Sequence, residues 1–306
     1  MESRLKKVLE KGHFALTGEL GPPRGADVNV VIKKANYLKG VVDAVNITDN
    51  PTGVVRMASW AASYLCLQQG VEPVFQIVCR DRNRLAIQSN VLGAYALGIR
   101  NILCLSGDHI KFGDHPQAKA VFDIDSTQLI MTLKKLRDEE KFLSDAPVKS
   151  PPKNLFIGCA TNPFTNPLEL TILRFKKKIR AGAQFVQTQA IFNMKRAREW
   201  IKILNEEGIT EKVYILAGVI PLKSYRMAMY MKEKVPGMDI PDELIKRINL
   251  PNKKDQEKEG LKITYEIIEE LRSFKGISGI HLMAVGWEHR VKEIAEEAKL
   301  LPRPQV

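Results

Sequence analysis

Two carboxylates, Glu19 and Asp108, each follow an apolar run at a point where the chain must turn. Glu19 ends the run that begins at Phe14 and is followed by Gly21-Pro22-Pro23. Two consecutive prolines supply no backbone N–H, so we expect the strand to end beside Glu19. Asp108 follows Ser106-Gly107, where glycine permits a close approach of the backbone to a ligand. Two acids in different surroundings can divide general-acid and electrostatic work between them.

Other polar side chains follow apolar runs in the same way. They are Asn46, Thr48, Asp49, Arg80, Asp81, Asn83, His109, Thr161, Asn162, Gln187 and Gln189. Asp49, Asp81 and Asn83 could instead be helix caps and turn formers, and the two glutamines could be ordinary strand-end residues. If the strands are parallel, these side chains form one ring at the C-terminal ends of the strands.

No metal site is predicted from the histidines. His109 and His115 lie on one predicted loop, and His281 lies inside an apolar strand. The sequence therefore contains no His, Cys and Asp cluster with metal-ligand spacing.

About eight short apolar runs alternate with helix-length segments, and none alternates like a half-exposed antiparallel strand. The predicted strands lie at 14–19, 41–47, 73–79, 101–105, 155–160, 184–188, 213–219 and 279–284. This pattern predicts a single eightfold β/α (TIM) barrel over residues 1–306, with an extra N-terminal helix and an insertion between strands 7 and 8. A charged linker is predicted at 252–259 within that insertion. The alternative, a doubly wound open sheet, lacks a G-x-G-x-x-G fingerprint after its first strand.

The composition favours a globular protein that binds an anionic ligand or partner. The 306 residues carry 47 basic and 35 acidic side chains, a formal charge of +12. The basic residues are dispersed and no nucleic-acid motif accompanies them, so no nucleic-acid partner is expected. No segment approaches membrane-spanning length and the N-terminus lacks the apolar centre of a signal peptide, so we expect a cytoplasmic protein without membrane contact. The cysteines at 66, 79, 104 and 159 are predicted to be reduced core thiols.

Together, these strand ends resemble those of the methylenetetrahydrofolate reductase family, in its short prokaryotic, flavin-dependent form. The matching motifs occur in family order between Phe14 and Pro221. They are Gly18-Glu19-Leu20-Gly21-Pro22-Pro23, Asn46-Ile47-Thr48-Asp49, Cys79-Arg80-Asp81-Arg82-Asn83, Leu105-Ser106-Gly107-Asp108, the basic stretch Lys176 to Ala183, Gln187-Thr188-Gln189 with Phe192, and Gly218-Val219-Ile220-Pro221.

The resemblance implies FAD bound noncovalently at the mouth of the barrel, with FMN as the alternative, and NADH or NADPH as electron donor. The flavin-site positions that it implies are Thr48, Gln76, Asp81, Gly107, Ala160, Thr161 and Lys178. Some members carry His at the position of Gln76, Arg at Ser106 and an acidic residue in the helix that contains Thr171. These departures leave the choice between FAD and FMN open.

The resemblance also implies reduction of 5,10-methylenetetrahydrofolate to 5-methyltetrahydrofolate. Glu19 would be the general acid that protonates N10 of the folate, and hydride would come from N5 of reduced flavin. Asp108 would stabilise the resulting cation, and Gln189, Asp108 and Phe192 would contact the folate. Two alternatives stay open: a flavin-bearing subunit that takes electrons from a partner protein, and a flavin-free pterin-binding methyltransferase barrel. A homo-oligomer and a tetrahydromethanopterin-type carrier are compatible with the sequence.

Overall fold

Eight parallel strands close into a barrel in which each strand pairs with its neighbours along the chain and the eighth pairs with the first. The structure is a computed structural model and describes residues 2–306. The predicted eightfold β/α barrel is therefore confirmed, and the doubly wound alternative is wrong.

The element bounds are as follows. The strands are β1 (Ala15–Leu20), β2 (Ala44–Ile47), β3 (Pro73–Val78), β4 (Asn101–Leu105), β5 (Phe156–Thr161), β6 (Phe185–Ala190), β7 (Tyr214–Val219) and β8 (Ile277–Leu282). The helices are α1 (Arg4–Glu10), α2 (Val28–Leu38), α3 (Ser59–Gln68), α4 (Arg84–Ala96), α5 (Ser126–Lys134), α6 (Leu168–Ala181), α7 (Met194–Glu206), α8 (Tyr225–Lys234), α9 (Asp242–Ile248), α10 (Lys253–Ser273) and α11 (Val291–Glu297).

Side-chain caps fix the starts of several helices. The carboxylate of Asp27 accepts the N–H of Asn29 at the start of α2, and Asn83 accepts the N–H of Ala86 at the start of α4. Asp125 forms a capping box with Gln128 at the start of α5. Such caps satisfy backbone N–H groups that have no partner within the helix, which is why these local signals predict helix starts well.

The N-terminal helix α1 closes the lower end of the barrel. Its residues Leu5, Val8 and Leu9 belong to one hydrophobic cluster with buried side chains of seven strands, including Phe156 and Phe185. The rings of those two phenylalanines stack with their centroids 4.8 Å apart. This apolar plug leaves the opposite, C-terminal end of the barrel available for a ligand.

The predicted charged linker at 252–259 is wrong, because these residues form the first turns of α10. Asn252 caps this helix by accepting the N–H of Asp255, and Arg247 of α9 forms an ion pair with Glu259. Lys and Glu favour helices when the exposed face is solvated, so a run of charges does not by itself indicate a linker. Among residues 2–306, none of the helices has both the length and the apolar composition needed to cross a bilayer.

Candidate active site

A cavity of about 420 Å³ opens at the C-terminal ends of the strands. Of the eleven residues given a catalytic, folate or flavin role, six line it: Glu19, Gln76, Ala160, Thr161, Lys178 and Gln189. The strand-end candidates Asn162 and Gln187 line it as well. A second cavity of about 330 Å³ contains Gly107 and Asp108 in its lining. The two cavities share Gln76, Leu105, Ala160 and Lys178, so they adjoin along one wall. Both volumes lie at or above the lower end of the range of small-molecule sites, about 300 to 1,000 Å³.

Three of the eleven residues given a catalytic, folate or flavin role line neither cavity, and neither do the strand-end candidates Asn46, Asn83 and His109. Thr48 is buried, and its hydroxyl has no hydrogen-bond partner in the described part of the chain. Asp81 is bonded to Arg80, which lines the second cavity. Phe192 is only 2% exposed and belongs to the hydrophobic core. The fold therefore brings most of the residues given a role together and places Phe192 in the hydrophobic core.

Glu19 lies near the end of β1 with 14% of its side chain exposed, next to a histidine for which the sequence predicts no role. His281 of β8 places Nε2 at 3.7 Å from Oε2 of Glu19, and its Nδ1 lies 3.0 Å from the hydroxyl of Thr17. Thr17 and His281 are paired in the sheet register. Because side chains two apart on a strand share a face, Thr17 and Glu19 both point into the barrel towards the imidazole.

Polar side chains form a layer beneath the cavity. Asn46 of β2 and Gln187 of β6 lie on opposite sides of the barrel and exchange two hydrogen bonds of 2.5 and 2.9 Å. Both are buried, at 0% and 3% exposure, and Gln187 lines the floor of the larger cavity. Thr17, Gln76 and His281 are also buried polar residues of barrel strands. A polar residue in the middle of an otherwise apolar strand is the signal that could have identified His281.

The second cavity is bordered by a buried arginine. Arg80 is 1% exposed and donates from Nε and Nη2 to Asp81 at 2.7 Å each. Burial by itself would raise the pKa of Asp81, but the hydrogen bonds from Arg80 and Asn50 outweigh it and lower that pKa. The hydrogen bond with Asp81 raises the pKa of Arg80. The pair therefore fixes the Arg80 guanidinium beside this cavity, with its charge balanced by Asp81.

Gly107 and Asp108 form the turn after β4. Gly107 has φ +92°, and a Cβ atom there would lie 3.0 Å from the Cβ of Arg80, so both conformation and space favour glycine. Asp108 is exposed, and its carboxylate accepts the N–H of Thr52 at 2.9 Å. Its backbone carbonyl accepts Nη1 of Arg80 at 3.2 Å.

The outer wall of the larger cavity carries two cations from α6. Lys178 donates to the carbonyl of Ala160 at 2.8 Å, and Arg174 lies one turn earlier. Residues four apart share a helix face, so both cations lie on the cavity side. Among residues 2–306, no three His, Cys, Asp or Glu side chains are arranged to hold a metal ion.

These features define a β/α-barrel protein with a polar, partly cationic binding site at the C-terminal ends of its strands. An uncharacterized protein from Clostridium thermocellum, described as binding two copies of 5-methyl-5,6,7,8-tetrahydrofolic acid, has a TM-score of 0.63 at 14% identity and covers 97% of this chain and 99% of its own. An F420-dependent secondary alcohol dehydrogenase in complex with an F420-acetone adduct has a TM-score of 0.57 at 13% identity, covering 93% and 99%. At such identities these likenesses show the fold alone.

The chain belongs to the methylenetetrahydrofolate reductase family, because the model of that family matches residues 4–299. A probable methylenetetrahydrofolate reductase (NADPH) of Caenorhabditis elegans is 26% identical over 98% of this chain and 44% of the relative. Methylenetetrahydrofolate reductase 1 of Schizosaccharomyces pombe is 24% identical over 76% of this chain and 36% of the relative. The family resemblance is thus confirmed, while the chain spans less than half the length of these curated relatives.

Proposed function

We propose that this chain catalyses the flavin-dependent reduction of 5,10-methylenetetrahydrofolate to 5-methyltetrahydrofolate. The observation that carries the proposal is the position of Glu19, a carboxyl group on the inner wall of the larger cavity with a buried histidine 3.7 Å away. Gln189 lines the same cavity. Family membership agrees with this assignment.

The residues around the two cavities fit a flavin, with FAD preferred and FMN as the alternative. Lys178 and Arg174 supply positive charge for an anionic cofactor, and Gly107 lines the second cavity without a Cβ atom. Thr48 has a buried hydroxyl without a partner among residues 2–306, which a polar ligand group could engage. With Gln76, Asp81, Ala160 and Thr161, these residues form the proposed flavin site. When bound, a flavin supplies the hydride that the reduction requires.

The proposed role of Glu19 is to donate its proton to N10 of the folate, which opens the five-membered ring and leaves a cation at N5. His281 contacts Glu19 and is itself held by Thr17, so the imidazole orients the carboxyl group from below. We therefore add His281 as a positioning residue.

Asp108 is proposed to stabilise the cation, and Gln189 to bind the folate. Stabilisation by Asp108 requires its carboxylate to leave the N–H of Thr52 and turn to the cavity. The side-chain carbonyl of Gln189 accepts the N–H of Ala190, which leaves its amide NH2 as a donor for a ligand. Phe192 stays a predicted folate contact, and its burial means that its side chain would have to move.

The electron donor is proposed to be NADH or NADPH, and the protein is proposed to act in the cytoplasm. A flavin-bearing subunit that depends on a partner protein is distinguished by mixing the flavin-loaded protein with NADH and NADPH. Bleaching of the flavin absorbance by either nucleotide supports the direct route, whereas bleaching only after a partner is added supports the dependent one. If the purified protein binds no flavin, the result supports the alternative of a flavin-free, pterin-binding methyltransferase barrel.

The assignment of Glu19 is tested by Glu19→Gln, which keeps the shape and removes the proton. Flavin reduction by the donor should be nearly unchanged, while folate reduction should fall about 10²- to 10⁴-fold, the usual contribution of a general acid. Glu199→Gln on the exposed side of α7 serves as the control. If folate turnover survives Glu19→Gln at the control rate, Glu19 is not the acid.

A further inference from the structure

The insertion between β7 and β8 contacts the wall of the larger cavity. We propose that the turn between α8 and α9 positions the β5–α6 loop, residues 162–167, for binding of the flavin, with Arg196 and Asp239 as positioning residues. The loop and the turn are joined by two sets of contacts, which together are called the clamp. The identity of the ligand in this inference rests on the proposed function, whereas the effect on the loop does not.

The first set of contacts centres on Arg196 at the start of α7. Its Nη1 donates to the carboxylate of Asp239 at 2.8 Å, and its Nη2 donates to the carbonyl of Phe164 at 2.9 Å and to the side chain of Asn166 at 3.0 Å. Asn193 donates to the same Asp239 oxygen at 3.0 Å. The guanidinium group therefore joins the loops that follow β5, β6 and α8, and Asp239 neutralises its charge.

The second set of contacts joins Gly237 to Asn162. The amide of Asn162 donates to the carbonyl of Gly237 at 3.1 Å and accepts the N–H of Phe164 at 2.9 Å. Gly237 has φ +79°, and a Cβ atom on it would collide with the amide nitrogen of Asn162. Alanine at this position would therefore displace the Asn162 side chain and break both bonds.

The clamped loop forms part of the proposed flavin wall. Asn162 and Thr165 line the larger cavity, and the carbonyl of Thr165 accepts the hydroxyl of Thr171 on α6 at 3.3 Å. The same helix carries Arg174 and Lys178 into the cavity. A loop that is ordered before the ligand arrives does not have to lose conformational freedom on binding, so its contacts contribute more to affinity.

If the clamp had a purely structural role, its loss would lower the global stability of the protein. The side chains of Arg196 and Asp239 are 30% and 27% exposed, and ion pairs at such exposure contribute little to global stability. Asp239→Ala should therefore leave the midpoint of urea unfolding nearly unchanged and act on the order of residues 162–167. The matched control is Glu259→Ala, which breaks an ion pair of similar exposure, 33% and 21%, between Arg247 and Glu259 in the same insertion.

The test measures FAD binding to the flavin-free protein by fluorescence titration, together with amide hydrogen exchange of residues 162–167 without FAD. Asp239→Ala and Gly237→Ala should each weaken FAD binding about fivefold or more and speed exchange in the loop. Glu259→Ala should change neither.

The two measurements separate this inference from the proposed function. The positioning role would be overturned if amide hydrogen exchange of residues 162–167 were unchanged in both clamp variants. It would also be overturned if Glu259→Ala changed that exchange as much as they do. If the unsubstituted protein binds FAD and the clamp variants bind it equally well, the role in cofactor binding is also overturned. Faster loop exchange in a protein that binds no FAD would support positioning of the loop and count against the flavin proposal instead.

Discussion

The amide pair across the barrel, Asn46 and Gln187, offers a quantitative test of how the floor of the cavity is held. The perturbations are Asn46→Leu, Gln187→Met and the double variant, which replace polar atoms by apolar groups of similar size. Each single substitution removes both hydrogen bonds of the pair and leaves a buried amide donor and acceptor without their partner. A buried polar group left unsatisfied costs about 1 to 3 kcal/mol, so each single variant should lose about 2 to 5 kcal/mol of unfolding free energy.

The double variant should lose much less than the sum of the two, because neither orphaned amide remains. Replacing both partners of a hydrogen bond by apolar groups is often close to neutral, which predicts a coupling energy of about 2 kcal/mol or more. The assay is urea unfolding followed by circular dichroism, with the slope of the unfolding free energy against urea checked for constancy. If the two single losses simply add in the double variant, the pair does not act as a unit and this reasoning is refuted.

Two further predictions concern stability and the thiols. Asp43 is fully buried and accepts hydrogen bonds from Arg303, Arg4 and the N–H of Leu16, so Asp43→Ala should lose about 3 to 5 kcal/mol by leaving arginine charge uncompensated. Asp242→Ala, at an ion pair whose carboxylate is 79% exposed, is the control, and an equal loss there on urea unfolding would contradict the role of burial. Burial raises the pKa of Cys66 and Cys159 from 9.0 to about 12, so native thiols should react slowly with a disulfide reagent at pH 8, and rapid native labelling would refute this. The thiols ionise at lower pH in the unfolded chain than in the folded protein. The contribution of the buried thiols to the free energy of unfolding should therefore decline as the pH rises above about 9.

Local signals in the sequence account for the barrel and for most of the proposed site. The Gly-Pro-Pro stop after Glu19 and the side-chain caps at Asp27 and Asp125 act within a few residues of themselves, so they predict element ends without knowledge of the fold. Once the strands are taken as parallel, their polar ends must meet. That step brings Glu19, Thr161 and Gln189 to one cavity, whereas Lys178 reaches it from α6.

The direction of side chains within the strands could not be predicted in the same way. Strands of a parallel barrel are buried on both faces, so their apolar runs do not show which alternate residues line the interior. His281 therefore looked like a core residue, whereas the register with β1 turns it towards Thr17 and Glu19. Phe192 matched a family motif, but its side chain lies in the core.

The sequence by itself determined the order of the elements, the places where strands stop and the chemical types of side chain at those places, because each depends on neighbours along the chain. Only the tertiary structure decided which of these side chains touch. The contact between His281 and Glu19 depends on closure of β8 onto β1, and the contact between Asp239 and Arg196 depends on how the insertion folds back over the barrel. Both join residues far apart in the chain, and only packing of the whole barrel fixes such distances.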